Sequence, residues 1–235
     1  MVPSPDTSGT GDGSPPPAIL RVVTFGGAEL ADALGDGAPL AAAVAARRGQ
    51  GPDIELRTAL AGPLPELLAT SSAWSSVLDG AHVVLRSVSP DVQRDHGDGT
   101  SAIRLGESFR EDFARFVGLV KPSGATIVAV NGSTVDPSDR VFSYATAPIT
   151  PPLVIHQYNL ELIRLSMLDG ISVLDADRVV SQEGGNENVA ALFDYGAPVL
   201  RVILDELAMI LEEYGWFDDR PILAQRGQRD KGVAA

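Results

Sequence analysis

Short runs of Val, Ile and Leu alternate with longer helical patterns along most of this chain. The alternation predicts a parallel β-sheet with helices on both faces, because parallel strands need crossover connections of helical length. The runs have the length of buried strands and occupy residues 19–25, 53–59, 81–88, 124–131 and 171–176. The helical patterns occupy residues 28–48, 64–70, 103–120, 152–168 and 196–214.

Length and composition favour one domain with a core of aliphatic side chains. The chain has 235 residues, of which 44% are hydrophobic, and this content is enough for one sizeable core. We therefore expect a single α/β domain over residues 18–225. Residues 1–17 and 226–235 are polar and rich in Gly, Pro or charge, so we expect disordered tails there.

Charge and residue content narrow the class of function. The formal charge is −13 and the chain has no Cys. Nucleic-acid binding needs clustered Lys and Arg, and disulfides, thiolate catalysis and cysteine-ligated zinc all need thiols. No apolar run approaches the roughly 20 residues of a membrane-spanning helix, and residues 1–17 lack the pattern of a secretion signal. We expect a cytoplasmic protein without nucleic-acid or membrane partners.

Functional residues are expected at the carboxyl ends of the strands, where parallel sheets build their ligand sites. Gly26-Gly27 precedes a helix there but lacks the glycine patterns of nucleotide-binding loops. Metal-ligand spacings such as His-x-x-x-His are absent from the sequence, so we expect neither cofactor nor metal. The loops that qualify are residues 26–30, 60–63, 87–102, 131–151 and 177–196.

The first strand and its turn resemble a known family. Residues 19–25 are followed by Gly26-Gly27-Ala28-Glu29-Leu30, which is similar to the opening block of the SGNH/GDSL hydrolases. In that family a strand ends in a Gly-Asp-Ser-Leu turn, and the Ser is the nucleophile. The resemblance spans residues 19–222 and is strongest at residues 131–178. It implies a flavodoxin-like three-layer α/β/α sandwich with a five-stranded parallel sheet in the order 2-1-3-4-5.

The resemblance also places the oxyanion hole and the nucleophile. Gly27 stands where the family has Asp, and Ala28 stands where it has Ser. An alanine methyl cannot attack a carbonyl carbon. Gly62 keeps the glycine N–H after the second strand, and Ser89 replaces the Asn side chain after the third. The resemblance therefore implies a lost nucleophile beside a partly retained oxyanion hole.

The rest of the catalytic machinery is replaced as well. The family carries an Asp-x-x-His block before its last helix, and this block falls on residues 191–195. Ala191 takes the Asp position and Asp194 the His position, while Tyr195 fits the aromatic residue that follows. The histidines of the chain are His82, His96 and His156. Since these residues lie far from position 194, the resemblance implies that the whole Ser-His-Asp triad is missing.

Several residues could support other chemistry, each with a plainer alternative. Glu29 is either a charge at a helix start or a catalytic carboxylate, and Asp194 is either a solvated loop acid or a general base. His96 lies in a polar stretch, 89–99, that is long enough for a lid, and is either exposed or a base oriented by neighbouring acids. Asn131 either forms a strand-end turn or contacts a ligand.

We expect the candidate residues to converge on one cleft at the carboxyl edge of the sheet. Three hypotheses about function remain open. The chain is a repurposed enzyme acting on a small acyl- or polyketide-like molecule in bacterial biosynthesis, a non-catalytic protein that binds a ligand or partner, or a conventional esterase with misaligned blocks. The candidate catalytic residues are Glu29 and Asp194, and the candidate binding residues are Gly27, Ala28, Gly62, Ser89, Asn131, Tyr195 and His96.

Overall fold

The computed structural model describes residues 19–49, 51–59, 61–95, 102–135, 150–191 and 193–217. Its centre is a five-stranded sheet whose neighbouring strands all run parallel, in the order β2-β1-β3-β4-β5. This architecture confirms the predicted fold class and strand order. The strands are β1 (Ile19–Phe25), β2 (Asp53–Thr58), β3 (Val83–Ser87), β4 (Thr126–Val130) and β5 (Ser172–Leu174).

Helices connect the strands and cover both faces of the sheet. Right-handed crossovers place the β1–β2 connection on one face, and the β3–β4 and β4–β5 connections, which run the other way along the sheet, on the opposite face. The helices are α1 (Ala28–Leu34), α2 (Ala38–Arg48), α3 (Leu64–Ala69), α4 (Trp74–Leu78), α5 (Ser89–Asp95), α6 (Ala102–Val120), α7 (Pro151–Asp169), α8 (Ala176–Gln182) and α9 (Ala197–Glu213). Helices α1, α2 and α9 pack together, as do α6 and α7.

The single helix predicted over residues 28–48 is two helices. Gly35 and Gly37, which separate α1 from α2, have φ angles of 53° and 97°. Glycine adopts this left-handed region at little cost, whereas other residues resist it. The apolar pattern continued across the break, because both helices pack on the same layer, and this concealed the turn.

The stretch of residues 89–99, which the sequence makes long enough for a lid, begins with a helix. Residues 89–95 form α5, in which Ser89, Asp91 and Val92 are buried. Residues 96–101, including His96, lie outside the described residues. The sequence prediction also missed α8 and a small antiparallel hairpin, which consists of β6 (Val189–Ala191) and β7 (Asp194–Tyr195).

Several of the few aromatic side chains of this protein pack against one another in the core. The ring of Phe25 lies 4.9 Å from Trp74 and 5.3 Å from Phe116, so the end of β1 is held against the helical layer by large rings. This packing fixes the strand end from which the candidate site begins. None of the helices in the described ranges has the length and apolar character that crossing a membrane requires.

Candidate functional site at the carboxyl edge of the sheet

The residues that follow β1 and β3 meet at the carboxyl edge of the sheet. Glu29, in the first turn of α1, is only 6% exposed there. The Ser89 hydroxyl donates to Glu29 Oε1 at 2.6 Å, and the Ser87 hydroxyl donates to the same oxygen. Ser87 Oγ also accepts the Ser89 N–H at 3.1 Å. We call Glu29, Ser87 and Ser89 the Glu29 cluster.

Gly27 explains why this cluster is so compact. It is the N-cap residue of α1 and has an extended backbone. A Cβ atom at this position would overlap both the Ser89 hydroxyl and the Glu29 carboxylate. A larger residue here would have to displace one or both of these side-chain groups, and the missing side chain lets α1 bring Glu29 against the end of β3.

A buried ion pair lies on the other side of β3. Adjacent strand residues face opposite sides of a sheet, so Arg86 is directed away from the side occupied by Ser87, and it is fully buried. Its guanidinium donates to the Phe25 carbonyl at 3.1 Å and to the carboxylate of Asp91 in α5. Asp91 in turn accepts the N–H of Leu64 at 2.6 Å. The pair thereby links the ends of β1 and β3 to the start of α3.

Burial shapes the electrostatics of this pair. It lowers the pKa of Arg86, while the negative charges of Asp91 and Glu29 act in the opposite direction. Burial also raises the pKa of Asp91, and the charge of Arg86 opposes that change. A buried pair of this kind is tolerated only when further hydrogen bonds compensate for the lost water. The Phe25 carbonyl and the Leu64 N–H supply two of them, while the buried Nε of Arg86 has no hydrogen-bond partner among the described residues.

The ends of β4 and β5 are joined by Asn131. Its side-chain amide donates to Asp175 at 2.9 Å, and its side-chain oxygen accepts the N–H of Asp177 at 3.3 Å. Asp177 also accepts the N–H of Thr134 at 2.6 Å. We call Asn131, Asp175 and Asp177 the Asn131 network. These hydrogen bonds fit the first of the two alternatives stated for Asn131, a turn at the end of the strand.

Tyr195 reaches this edge from the β6–β7 hairpin. Its buried hydroxyl accepts the N–H of Ser133 at 3.4 Å. Burial raises the pKa of Tyr195, and the negative charges of Glu29 and Asp177 add to that increase. Tyr195 thus stays protonated at neutral pH and lies within electrostatic reach of the Glu29 cluster.

The β6–β7 hairpin packs closely against the loop that follows β4. Phe193 has a φ angle of 64°, which is rare for a residue with a side chain. A Cβ atom at Gly132 would lie 2.9 Å from the Phe193 ring, so the ring and the glycine backbone fit closely together. Asn159 of α7 holds the same glycine through two hydrogen bonds, of 3.2 Å and 2.8 Å.

The other predicted site residues are less closely associated. The Asp194 side chain is exposed, because β7 turns Tyr195 inward and its neighbour outward. Gly62 lies in the half-exposed loop before α3. Ala28 is the first residue of α1. The structure therefore brings Glu29 and Ser89 together, while Asp194 takes no part in their hydrogen bonds.

Sequence reasoning missed Ser87, Arg86 and Asp91. A lone Arg in the apolar run of β3 was the available signal, because a charge in a buried strand needs a partner. Among the residues that the structure describes, no group of His, Asp and Glu is arranged to hold a metal ion.

Comparison with known proteins rests on solved structures. Neither a protein-family model nor a curated protein sequence matches this chain. An acetyl xylan esterase, AlAXEase, superposes with a TM-score of 0.61 at 13% identity, over 82% of this chain and 100% of its own. The lipase/acylhydrolase from Enterococcus faecalis gives a TM-score of 0.60 at 9% identity, over 82% and 95% of the two chains.

A third solved structure identifies the family that shares this fold. A member of the lipolytic G-D-S-L family from Veillonella parvula superposes with a TM-score of 0.56 at 9% identity, over 82% of this chain and 97% of its own. The fold of this protein is therefore that of the SGNH/GDSL hydrolases, as the resemblance implied. Identities this low establish the fold, and function has to be argued from the site.

Proposed function

We propose that this chain is an enzyme that keeps the SGNH/GDSL hydrolase fold and works without a Ser-His-Asp triad. Its proposed substrate is a small acyl- or polyketide-like molecule of bacterial biosynthesis, converted with no covalent serine intermediate. The resemblance assigns the nucleophile position to Ala28, which begins α1 directly beyond the end of β1. A chain without an oxygen at this point needs another reactive group.

Glu29 is the group that we propose for proton transfer, and its setting is the observation that carries the proposal. Its carboxylate is nearly buried and held by the hydroxyls of Ser87 and Ser89 at the strand ends. Hydrogen bonds of this kind fix the orientation of a general acid or base.

The histidines give no support to the usual mechanism. His82 precedes β3 and lies at the amino edge of the sheet, where its Nδ1 accepts the Arg21 N–H at 3.0 Å. His156 is on the exposed face of α7. His82 therefore lies at the edge opposite the Glu29 cluster, the His156 side chain makes none of the hydrogen bonds described for that cluster, and His96 lies outside the described residues.

Other predicted residues are assigned supporting roles in the same proposal. The Gly62 N–H would polarise a substrate carbonyl, as one donor of an oxyanion hole does. Asp194 would exchange a second proton, and Tyr195 would border the substrate. The hydrogen bond from Ser133 to Tyr195 supports a hairpin located at this edge. Asp194 is exposed on that hairpin and so can be reached by an incoming molecule.

One observation favours a non-catalytic binding protein instead. The Ser89 hydroxyl, which would serve as an oxyanion donor, already donates to Glu29. A substrate carbonyl would have to displace a carboxylate, which is the stronger acceptor. The binding hypothesis therefore predicts that Glu29 closes the old oxyanion hole, and that ligands bind nearby without reacting.

The test compares the full chain with Glu29→Gln and with Glu111→Gln, a control that changes an exposed glutamate of α6. Each protein is incubated with p-nitrophenyl acetate, p-nitrophenyl butyrate and the N-acetylcysteamine thioesters of the same acids, and products are followed by mass spectrometry. We expect Glu29→Gln to lower turnover by about 10²-fold or more, the usual effect of losing a general base. The control should retain wild-type turnover.

A fluorophosphonate probe separates the remaining hypotheses. We expect no covalent adduct on the wild-type protein, and no gain of esterase activity in Ala28→Ser, because the resemblance places no histidine beside it to take the serine proton. A stoichiometric adduct with loss of turnover would instead establish a conventional serine esterase. Retention of an acyl thioester without any product, in wild type and Glu29→Gln alike, would support the binding protein.

A further inference from the structure

Tyr195 has a buried hydroxyl whose hydrogen is not used within the described parts of the protein. The hydroxyl oxygen accepts the Ser133 N–H at 3.4 Å, and the residue is only 6% exposed. Among the residues that the structure describes, no group accepts the Tyr195 hydrogen. A buried tyrosine hydroxyl normally donates to a partner, because an unpaired polar group costs free energy away from water. The unused hydrogen is therefore available to a ligand.

The β6–β7 hairpin carries backbone strain directly beside this tyrosine. The φ angle of Phe193, 64°, costs free energy in a residue with a side chain and persists only where the surrounding structure enforces it. The Phe193 ring packs on Gly132, which Asn159 holds through two hydrogen bonds. Directly after Phe193, β7 turns Asp194 outward and Tyr195 inward. Strain of this kind concentrates at functional positions, and here it precedes the residue that faces inward.

Tyr195 and Glu29 belong to the same helical layer and the same edge of the sheet. Helix α1, which carries Glu29, packs against α9, which begins directly after the hairpin. Ser87 of the Glu29 cluster pairs with Val130 of β4, and Ser133, which donates to Tyr195, follows three residues later. Neighbouring strands are about 4.8 Å apart. The Tyr195 hydroxyl and the Glu29 carboxylate therefore lie beyond the ends of two adjacent strands.

The two carboxylate oxygens of Glu29 have different surroundings. Oε1 accepts the hydroxyls of both Ser87 and Ser89. Oε2 accepts no hydrogen bond from the residues that the structure describes. It lies beside Gly27, where a Cβ atom would overlap it. The hydrogen bonds to Oε1 thus hold the carboxylate in place, and Oε2 is the oxygen that is free to take a proton.

We propose that Tyr195 is a catalytic residue, which donates a hydrogen bond to the carbonyl oxygen of an acyl substrate while Glu29 removes a proton from the adjacent carbon. This inference rests on the proposed function of Glu29 and names its reaction class, the enolisation of an acyl compound. As the C–H bond breaks, Oε2 of Glu29 takes the proton. The electron pair of that bond forms a carbon–carbon double bond, and the carbonyl π electrons move to the oxygen held by Tyr195. Return of a proton from Glu29 to the carbon restores the acyl compound.

Tyr195 is better suited to this role than Ser89. The Ser89 hydroxyl already donates to Glu29 at 2.6 Å, whereas the Tyr195 hydrogen has no acceptor among the described residues. Burial and the negative charges of Glu29 and Asp177 raise the pKa of Tyr195. The hydroxyl therefore keeps its hydrogen at neutral pH and can stabilise the negative charge that develops on a carbonyl oxygen.

Deuterium exchange by the full chain tests this proposal. Butyryl-N-acetylcysteamine is incubated in D₂O with each protein, and deuterium at carbon 2 of the butyryl group is followed by NMR and mass spectrometry. We expect the wild type to exchange above the rate without protein, because the proton held by Glu29 exchanges with solvent. Tyr195→Phe should lower kcat for exchange by about 10²-fold, the usual effect of losing one donor to an oxyanion, and leave KM nearly unchanged. The control Tyr214→Phe, whose hydroxyl accepts that of Ser172 at 2.9 Å at the opposite edge, should exchange like the wild type.

Thermal unfolding shows whether each variant is folded, and rates are expressed per folded molecule. Exchange by Tyr195→Phe at the wild-type rate overturns the proposal. A raised KM and a lowered melting temperature with unchanged kcat would also overturn it, because Tyr195 would then be structural. If the wild type exchanges no deuterium but hydrolyses the thioester in a manner that requires Glu29, this inference fails and the proposed function stands. If Glu29→Gln leaves both exchange and hydrolysis unchanged, the proposed function fails as well.

Discussion

The Glu29 cluster and the Asn131 network lie at the same edge of one sheet and are built from similar polar side chains. In the Asn131 network, side chains satisfy the backbone: Asn131 accepts the Asp177 N–H, and Asp177 accepts the Thr134 N–H. In the Glu29 cluster, the hydrogen bonds to the carboxylate come from the side chains of Ser87 and Ser89. The Asn131 network closes loops, whereas the Glu29 cluster holds a carboxylate.

This difference separates polar side chains that stabilise the fold from polar side chains that serve another role. Buried backbone groups must be paired, so side chains that pair them stabilise the fold. A buried carboxylate held only by hydroxyls loses its hydration without satisfying any backbone group, which favours a role outside folding. The comparison therefore predicts that the two regions respond in opposite ways to substitution, in stability and in activity.

The largest expected effect concerns the buried ion pair of Arg86 and Asp91, which links the ends of β1 and β3 to the start of α3. Arg86→Met should lower the free energy of unfolding by about 3–5 kcal/mol, because Asp91 would remain buried without its partner. Urea unfolding followed by circular dichroism measures this change. Arg115→Met removes an exposed arginine that pairs with Asp112, and should change stability by less than about 1 kcal/mol. Equal losses of unfolding free energy in the two variants would show that the buried pair stabilises the fold no more than the exposed pair does.

Asn131→Ala should destabilise the protein by about 1–3 kcal/mol, because the Asp177 N–H loses its buried acceptor. Turnover per folded molecule should remain close to that of the wild type in this variant. The measurement pairs urea unfolding with the acyl-substrate assay. A variant that keeps full stability and loses turnover would move Asn131 from the structural group to the reactive one.

Glu29→Gln should show the reverse pattern. The amide keeps the shape of the side chain and one oxygen that can accept a serine hydroxyl, while the buried charge is removed, so stability should change by less than about 1 kcal/mol. Activity should be the property that falls. Calorimetric melting beside the turnover assay distinguishes these effects. If Glu29→Gln unfolds as readily as Asn131→Ala, the Glu29 cluster is structural and the comparison fails.

The smallest expected effect is at the opposite edge of the sheet. Burial lowers the pKa of His82 below its ordinary value of 6.5, and its Nδ1 accepts the Arg21 N–H, which requires an unprotonated nitrogen. The unfolded chain therefore binds the proton more readily, and stability should decrease slightly as the pH falls below about 6.5. Urea midpoints at pH values on either side of this point measure the decrease.

His82→Gln keeps an oxygen acceptor for Arg21 and should reduce this pH dependence. His156→Gln, at the exposed histidine of α7, is the matched control and should retain the slope of the wild type. If the pH dependence of stability disappears in His156→Gln and persists in His82→Gln, the titrating group is His156 and the prediction is wrong.

The regular elements could be predicted because their signals are local. Runs of Val and Ile mark β1, β3 and β4, and the strand order follows from the handedness of crossovers and from the family resemblance. Short elements in polar stretches could not be found in this way. Helices α5 and α8 have few apolar residues, and their ends are set by packing against the sheet.

The sequence by itself determined the layered architecture, the alanine at position 28, and Glu29 as a charge at the end of the first strand. These features depend on the identity of residues and on their spacing along the chain. Only the tertiary structure decided which polar groups meet. Ser87 is 58 residues from Glu29, and Arg86 is 61 residues from the Phe25 carbonyl. No local pattern encodes such pairs, because parallel crossovers bring strand ends together across long stretches of chain.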